Sequence, residues 1–141
     1  MKRILGVDLG TKRTGVAVGS LGVAHPLAVV EATEDDAILA QLARIAREQD
    51  ARAIVLGLAK AMDATEGPAA LRQRDFAAKL RDATGLEVHL WDERLTTAQV
   101  ERVFLAGGLR RKKRRAVIDE AAATVLLQNY LDANEPEPKE R

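Results

Sequence analysis

Acidic residues that could carry out chemistry occur at three separated places in the chain, each in or beside an apolar segment. Asp8 interrupts the apolar stretch GVDLGTKRTGVAVG (residues 6–19), Asp92 and Glu93 follow the apolar stretch EVHLW, and Asp119 precedes an Ala- and Leu-rich segment. An ionised carboxylate that faces a core is costly unless it is paired or binds a metal. Converging carboxylates also repel one another, and a divalent cation removes that repulsion. The acids therefore predict a metal site.

Asp119 is expected on the sheet-facing side of a helix. It precedes Ala122, Ala123, Leu126 and Tyr130 by three, four, seven and eleven residues, a spacing that puts all five on one helical face. Because that face is apolar, it should pack against a sheet. The carboxylate at its start would then point toward the same sheet as the strand that carries Asp8.

The ligands available to such a metal are oxygen atoms and imidazoles, because the chain has no cysteine and only two isolated histidines. All-oxygen ligation by carboxylates favours the hard ions Mg²⁺ or Mn²⁺. Two such ions about 3.5–4 Å apart can hold the attacking and the leaving oxygen of a phosphodiester. The acids thus predict phosphodiester hydrolysis that depends on Mg²⁺ or Mn²⁺, with two bound ions.

Each acid also has a structural interpretation. Asp8 could lie at a solvated sheet edge, and Asp119 could pair with Arg114 or Arg115 at the start of its helix. Asp92 and Glu93 could cap the helix that follows them. Adjacent strand residues also point to opposite faces, so only one of these two acids can enter a single site if the strand is regular.

Positive charge is concentrated in residues 110–115, RRKKRR, although the net charge of the chain is only +1. Lys and Arg neutralise backbone phosphates and give affinity for nucleic acid that is independent of sequence and sensitive to salt. The alternative is a solvated helix entry, but positive charge at a helix N-terminus opposes the helix dipole and favours a functional role. The residues predicted to bind nucleic acid are Lys12, Arg13, Arg110, Arg111, Lys112, Lys113, Arg114 and Arg115.

The hydrophobic pattern indicates the elements that must position these residues. Short β-rich segments predict strands, apolar residues three and four apart predict helices, and Pro26 indicates an edge strand or a bulge. The predicted strands are 3–9, 14–19, 23–32, 53–59 and 87–91, and the predicted helices are 35–50, 68 to the glycine at 85, 96–106 and 115–131. The fold class is α/β, a five-stranded mixed sheet with three antiparallel strands and then parallel strands, flanked by helices in the order βββαβαβαα.

The length of 141 residues predicts one domain, because domains contain about 100–200 residues. We place this domain at residues 1–131. Residues 132–141, which include EPEPKER, lack a continuous apolar pattern and predict a disordered C-terminal tail. The absence of cysteine, of a signal sequence and of an apolar run of about 18 residues indicates a cytoplasmic protein without a membrane partner.

Three separated motifs resemble the YqgF/RuvX family of the RNase H-like superfamily, whose members are described as Holliday junction resolvases and as nucleases that mature the 5′ end of pre-16S ribosomal RNA. The motifs are GVDLGTKRTGVAV, with Asp8, Gly10, Arg13 and Gly15 at the family's positions, DERLTT (residues 92–97) and RRAVIDEAAATVLLQNYL. The resemblance covers the chain to about residue 131. It implies an RNase H-like fold of the same βββαβαβαα order.

By this resemblance, Asp8, Glu93 and Asp119 are the catalytic acids and the metal ligands. Asp92 and Thr96 are then expected to support those ligands or to cap the following helix without binding the metal themselves. One segment departs from the family pattern. A Gly-Leu-Pro run with a later Asn is replaced here by Gly57-Leu58-Ala59 followed by Lys60-Ala61. The departure affects the geometry of this loop and leaves the three acids unchanged.

These observations predict a metal-dependent endonuclease that acts on structured nucleic acid, either a four-way DNA junction or precursor 16S ribosomal RNA. A resolvase that makes two symmetric cuts needs two active sites and hence a homodimer. The first alternative is a non-catalytic RNA-binding adaptor for ribosome assembly. A second, an ATP-binding fold of the actin and Hsp70 type, shares the GVDLGT motif but needs a second phosphate loop that the chain lacks.

Overall fold

The computed structural model describes residues 3–59, 65–92 and 111–134, with the backbone alone for residues 111–120. It contains five strands and three helices within these ranges, and every predicted element in them is present. The strands are β1 (Arg3–Leu9), β2 (Thr14–Ser20), β3 (Val23–Val30), β4 (Ala51–Leu58) and β5 (Glu87–Asp92), and the helices are α1 (Asp35–Glu48), α2 (Pro68–Thr84) and α3 (Arg111–Asn134).

The strands form one mixed sheet in the order β3-β2-β1-β4-β5. The pairs β1–β2 and β2–β3 are antiparallel, whereas β1–β4 and β4–β5 are parallel, which confirms the predicted fold class. β3 is an edge strand and also contains a bulge, because Val16 pairs with Ala28 while Ala17 pairs with Pro26. Both features are those expected of a strand that contains proline, which cannot donate a hydrogen bond to a ladder.

Alternation of side chains divides the core into two layers. On one face of the sheet α1 and α2 pack on Leu5, Val7 and Leu9 of β1. On the other face α3 packs through Ala123, Leu127 and Leu131 on the following residues of the sheet: Ile4, Ala17, Ala24, Ala53 and Val55.

The two ends of α2 follow from its sequence. Pro68 occupies the start of the helix, where the missing N–H of proline has no partner to lose, and Gly67 precedes it. Gly85 ends the helix in the left-handed conformation with φ of 73°, and its N–H donates to the Arg81 carbonyl. These are the boundaries that the sequence predicts.

The bounds of α3 correct the sequence prediction at both ends. The helix begins at Arg111 and not at 115, so most of the basic run forms its first turns instead of preceding it. Arg and Lys have high helix propensity, which outweighs the few tenths of a kcal/mol that the dipole costs. The helix ends at Asn134, beyond the predicted 131, and its last turns carry hydrogen bonds from Gln128 Nε2 to Asp132 and from Asn134 Nδ2 to the Tyr130 carbonyl.

Two predicted segments cannot be compared with the structure. The helix predicted at 96–106 and the part of the predicted tail at 135–141 lie outside the described residues. The single-domain boundary therefore stays a prediction. In the part of the chain that is described, no helix combines the length and the apolar character that crossing a membrane requires.

Gly6 allows α3 to approach the sheet closely. A Cβ atom at this position would lie 2.7 Å from Leu127 Cβ and 3.1 Å from the Ala123 carbonyl oxygen. Both neighbours belong to the helix, and one of them is backbone, so neither can move away alone. The close approach of α3 to β1 thus requires glycine at position 6.

We expect Gly6→Ala to lower the free energy of unfolding by about 1–3 kcal/mol, the usual cost of overpacking a core. Urea denaturation measures the effect. Gly67→Ser is the matched control, because a Cβ there meets no atom within 4 Å and the hydroxyl can cap α2. A Gly6→Ala variant as stable as the control would show that α3 does not rest on this position.

Candidate functional site

Asp8 lies on the face of the sheet that α3 covers. It follows Ile4 and Gly6 at intervals of two residues, and both of these residues are packed against α3. The residues between them, Leu5, Val7 and Leu9, belong to the core under α1 and α2. Asp8 is half-buried and belongs to the last residues of β1, at the edge where the parallel strands end. This placement agrees with an acid that faces the helix carrying Asp119.

Glycines flank Asp8 on the neighbouring strands. Gly15 of β2 pairs directly with Asp8. On the other side Val7 pairs with Leu56 of β4, and the same register continued by one residue puts Gly57 beside Asp8. Strands lie about 4.8 Å apart, so a side chain at either glycine would stand next to the carboxylate. In the row Gly15–Asp8–Gly57, therefore, neither β2 nor β4 places a side chain directly beside the carboxylate.

The packing of α3 against the sheet sets the level of residue 119. The row that contains Gly19 and Ile4 meets Leu127 and Leu131, and the next row, with Gly6, meets Ala123 and Leu127. Two residues forward along β1 cover about 6.7 Å, and this step thus corresponds to about four residues, or one turn, backward along α3. One further step leads from Gly6 to Asp8 and from Ala123 to residue 119. The Asp119 side chain itself lies outside the described residues.

The alternation of β5 distinguishes between the two acids at its end. His89 and Trp91 contact the ring of Tyr130 on α3, with centroid distances of 5.7 and 5.3 Å. The intervening residues Val88 and Leu90 pack in the core under α1 and α2. Asp92 ends the strand in phase with this second set, on the face opposite to α3. Glu93 and Thr96 lie outside the described residues.

The turn between β1 and β2 carries two of the predicted phosphate contacts. Lys12 is exposed, and the Arg13 Nε atom lies 3.5 Å from Glu31 Oε1 in a surface ion pair. The turn is tight at Gly10, where a Cβ atom would lie 2.0 Å from the Arg13 carbonyl oxygen. Only glycine fits there, which explains a glycine two residues after Asp8.

Arg72 holds this turn, and the sequence patterns did not indicate it. The Arg72 Nη1 atom donates to the Gly10 carbonyl oxygen at 3.1 Å, and Nη2 donates to Asp35 Oδ1 at 2.9 Å. One guanidinium thus joins α2, the start of α1 and the turn after Asp8. The contact with Gly10 spans 62 residues, so no local spacing in the sequence reveals it.

The other predicted basic residues are only partly described. The backbone of residues 111–115 belongs to the first turns of α3, and Arg110 lies outside the described residues. From residue 115 the helix rises by about 6 Å to residue 119. The basic turns of α3 therefore lie about one helical turn before residue 119, the residue of α3 that is level with Asp8 of β1.

The described residues fit a hard cation at Asp8 through the chemical character of the donor. A half-buried carboxylate between two glycines can contribute oxygen atoms to such an ion, which is the ligand type that Mg²⁺ and Mn²⁺ prefer. Among the described side chains no group of three potential ligands occurs. Two of the three predicted ligands, Glu93 and Asp119, are not among those side chains.

The fold resembles solved RNase H-like resolvases. RuvC of Thermus thermophilus in complex with a Holliday junction substrate superposes with a TM-score of 0.62 at 16% identity, over 99% of this chain and 100% of that chain. The Fowlpox virus resolvase in complex with Holliday junction DNA gives 0.61 at 14% identity, over 95% and 99%. These similarities define the class of fold, an RNase H-like resolvase fold, as the sequence motifs imply.

The family follows from closer matches. Residues 2–133 match the RuvX family model, described as Holliday junction resolvase. A protein of Lactococcus lactis subsp. cremoris (strain MG1363), named "Putative pre-16S rRNA nuclease", is 46% identical over 136 residues, 94% of this chain and 95% of the relative. A Geobacillus kaustophilus protein of the same name is 46% identical over 135 residues, 93% and 98%. The chain belongs to the RuvX (YqgF) family, which confirms the resemblance drawn from its motifs.

We expect Arg72→Met to lower the free energy of unfolding by about 1 kcal/mol, because it removes two hydrogen bonds from a charged group that is partly exposed. Arg44→Met is the control. It removes an exposed pair with Glu48 on α1, worth about 0.3–0.5 kcal/mol. Urea denaturation compares the two variants, and equal losses would contradict a role of Arg72 in holding the turn.

Proposed function

We propose that this protein is a metal-dependent endonuclease with Asp8, Glu93 and Asp119 as its metal-binding acids. The observation that carries the proposal is the glycine-flanked row around Asp8 on the face covered by α3. Continuing the packing of α3 by one turn brings residue 119 to the same level. Residue 93 is next in phase with Trp91, which also faces α3. The phases of these three separated segments support a common site at the carboxyl edge of the sheet.

The acids have a defined task in this proposal. Asp8, Glu93 and Asp119 would hold Mg²⁺ or Mn²⁺, two ions in the arrangement expected for phosphodiester hydrolysis, and the ions would supply activation of water and stabilisation of charge on the phosphate. Asp8 belongs to a strand and residue 119 to the helix packed on that strand, so the core fixes the backbone that carries each of these two acids. Asp92 lies in phase with the sheet face opposite to α3, which suits a residue that caps the following helix or supports a metal ligand without binding the metal.

The basic residues would position the substrate. Lys12 and Arg13 follow Asp8 in the turn, and residues 111–115 precede Asp119 in α3. Each group of cations therefore adjoins one of the acids along the chain. A nucleic-acid backbone that contacts both groups would cross the carboxyl edge of the sheet between them. Such contacts do not read base sequence, so the substrate would be selected by its shape.

Precursor 16S ribosomal RNA is the substrate that we propose first. The names of relatives with about 45% identity support it. A four-way DNA junction is the second candidate, favoured by the family description and by the two resolvases of similar fold. The DNA alternative includes a homodimer, because two symmetric cuts need two sites. The rRNA proposal is consistent with action in the cytoplasm.

We expect Asp8→Asn to reduce cleavage by more than about 100-fold, since loss of residues that merely support metal ligands already costs about 10- to 100-fold. The assay supplies the full-length protein with a pre-16S leader RNA or a four-way DNA junction in Mn²⁺, Mg²⁺ or EDTA. Asp36→Asn is the matched control, because Asp36 is an exposed acid at the start of α1. The control should cleave as the wild type does, and EDTA should abolish cleavage.

The same assay separates the alternatives. Cleavage that persists in EDTA or in Asp8→Asn would contradict the metal mechanism. Binding of the leader RNA without cleavage in any metal would instead support the non-catalytic adaptor. Preference for the junction over the leader RNA would reverse the order of the two substrates.

We expect the double variant Lys112→Ala, Lys113→Ala to weaken binding of duplex substrates and to flatten the plot of log K against log salt concentration. The slope should fall by about 0.9 for each phosphate that the variant no longer neutralises. Fluorescence anisotropy over a salt series measures both quantities. The double variant Lys79→Ala, Arg81→Ala removes the same charge from α2 and should leave the slope unchanged. Equal slopes for both double variants would exclude the start of α3 from the interface.

A further inference from the structure

A buried glutamine of α2 binds the chain where it leaves β4. The backbone N–H of Ala59 donates to Gln73 Oε1 at 2.6 Å. Gln73 is only 4% exposed and lies in helical phase with the buried residues Phe76, Ala77 and Leu80. A polar side chain in an apolar stripe is costly unless it is hydrogen-bonded. The bond to Ala59 offsets that cost and fixes the side chain toward the end of β4.

Arg74, the next residue of α2, binds Glu66, which lies shortly before the start of α2. Arg74 makes two hydrogen bonds to Glu66, from Nε at 2.7 Å and from Nη2 at 2.6 Å. This charge-assisted, forked pair raises the pKa of the Arg74 guanidinium above its ordinary value through the hydrogen bonds and the charge of Glu66. Consecutive residues of one helix therefore hold residues 59 and 66, on either side of the segment 60–64.

The end of β4 also belongs to the proposed site. Gly57, which the continued register of β1 and β4 puts beside Asp8, is two residues before Ala59. A shift of the backbone at Ala59 would be transmitted to Gly57 through Leu58, and would change the space next to the carboxylate. The hydrogen bond from Ala59 to Gln73 is thus in a position to control the geometry of the site without touching its acids.

We propose that Gln73 is a positioning residue that fixes the exit of β4 beside Asp8, and that it does so by satisfying the N–H of Ala59. The functional part of this inference rests on the proposed nuclease activity. It also accounts for the departure from the family pattern at this position. Proline has no N–H, so a chain with proline at 59 needs no acceptor there. Alanine supplies a donor, and Gln73 is its acceptor.

The experiment is a double-variant cycle on the full chain with Gln73→Met, Ala59→Pro and the combination of both. Methionine keeps the length of glutamine without its amide, and Leu58 is an extended strand residue, the conformation that a following proline favours. Lys79→Met, an exposed change on the same helix, is the control. Amide hydrogen exchange at Gly57 and Leu58, and kcat and KM for the leader RNA, are measured for each protein, and exchange at residue 59 is measured for the proteins that keep Ala59.

We expect Gln73→Met to speed exchange at Ala59 by about 5- to 100-fold, the range that loss of a buried hydrogen bond gives. KM should rise severalfold while kcat changes less, and adding Ala59→Pro should restore KM. A merely structural role predicts no restoration by proline, because the proline restores no contact to residue 73.

Three other outcomes would overturn the inference. Unchanged exchange at Ala59 in Gln73→Met would overturn the inference, and so would unchanged KM or failure of Ala59→Pro to restore it. If the wild type cleaves neither substrate, the proposed function fails separately. The inference then stands or falls on whether exchange at Gly57 and Leu58 rises in Gln73→Met and returns to the wild-type rate with Ala59→Pro.

Discussion

The rest of the architecture around the site depends on how closely α3 packs on the sheet at Gly6. Because Gly6 has no side chain, Leu127 and the Ala123 carbonyl can lie against β1. This contact sets both the distance of the helix from the sheet and its register along β1. The register in turn decides which helical residue is level with Asp8, two residues further along the same face. A packing constraint in the core thus determines which residues can meet at the carboxyl edge.

Ion pairs surround the turn that follows Asp8 at that edge. Arg72 contacts Asp35 and the turn at Gly10, and Arg13 contacts Glu31. Each of these two cations has an acid partner on a neighbouring element. The pairs and the Arg72 hydrogen bond to the Gly10 carbonyl thus join the turn after Asp8 to the segments that carry Asp35 and Glu31.

Short-range patterns in the sequence predicted most of the fold. Short β-rich and apolar segments predicted the strands, Pro26 indicated an edge or a bulge where β3 has both, and Gly85 marked the end of α2. The placement of Asp8 on a strand also followed, because an acid inside an apolar run is visible without a structure. The start of α3 was predicted near residue 115, four residues after the observed Arg111, because the apolar pattern begins only after the basic run, whereas Arg and Lys have high helix propensity and extend the helix.

Arg72 could not be predicted, since its contact with Gly10 joins distant segments that only the fold brings together. Gln73, unlike Arg72, was partly visible in the sequence, because it is a polar residue in the apolar stripe of Phe76, Ala77 and Leu80. The partner was not visible, because Ala59 gives no sign that its N–H needs an acceptor.

Whether Asp8 is a metal ligand can be measured by Mn²⁺ anomalous diffraction from crystals of the wild-type protein. We expect an anomalous peak about 2.1 Å from an Asp8 carboxylate oxygen, with Asp119 and Glu93 around it. Ordered Mn²⁺ bound only elsewhere, with no peak at Asp8, would contradict the assignment of Asp8 as a ligand.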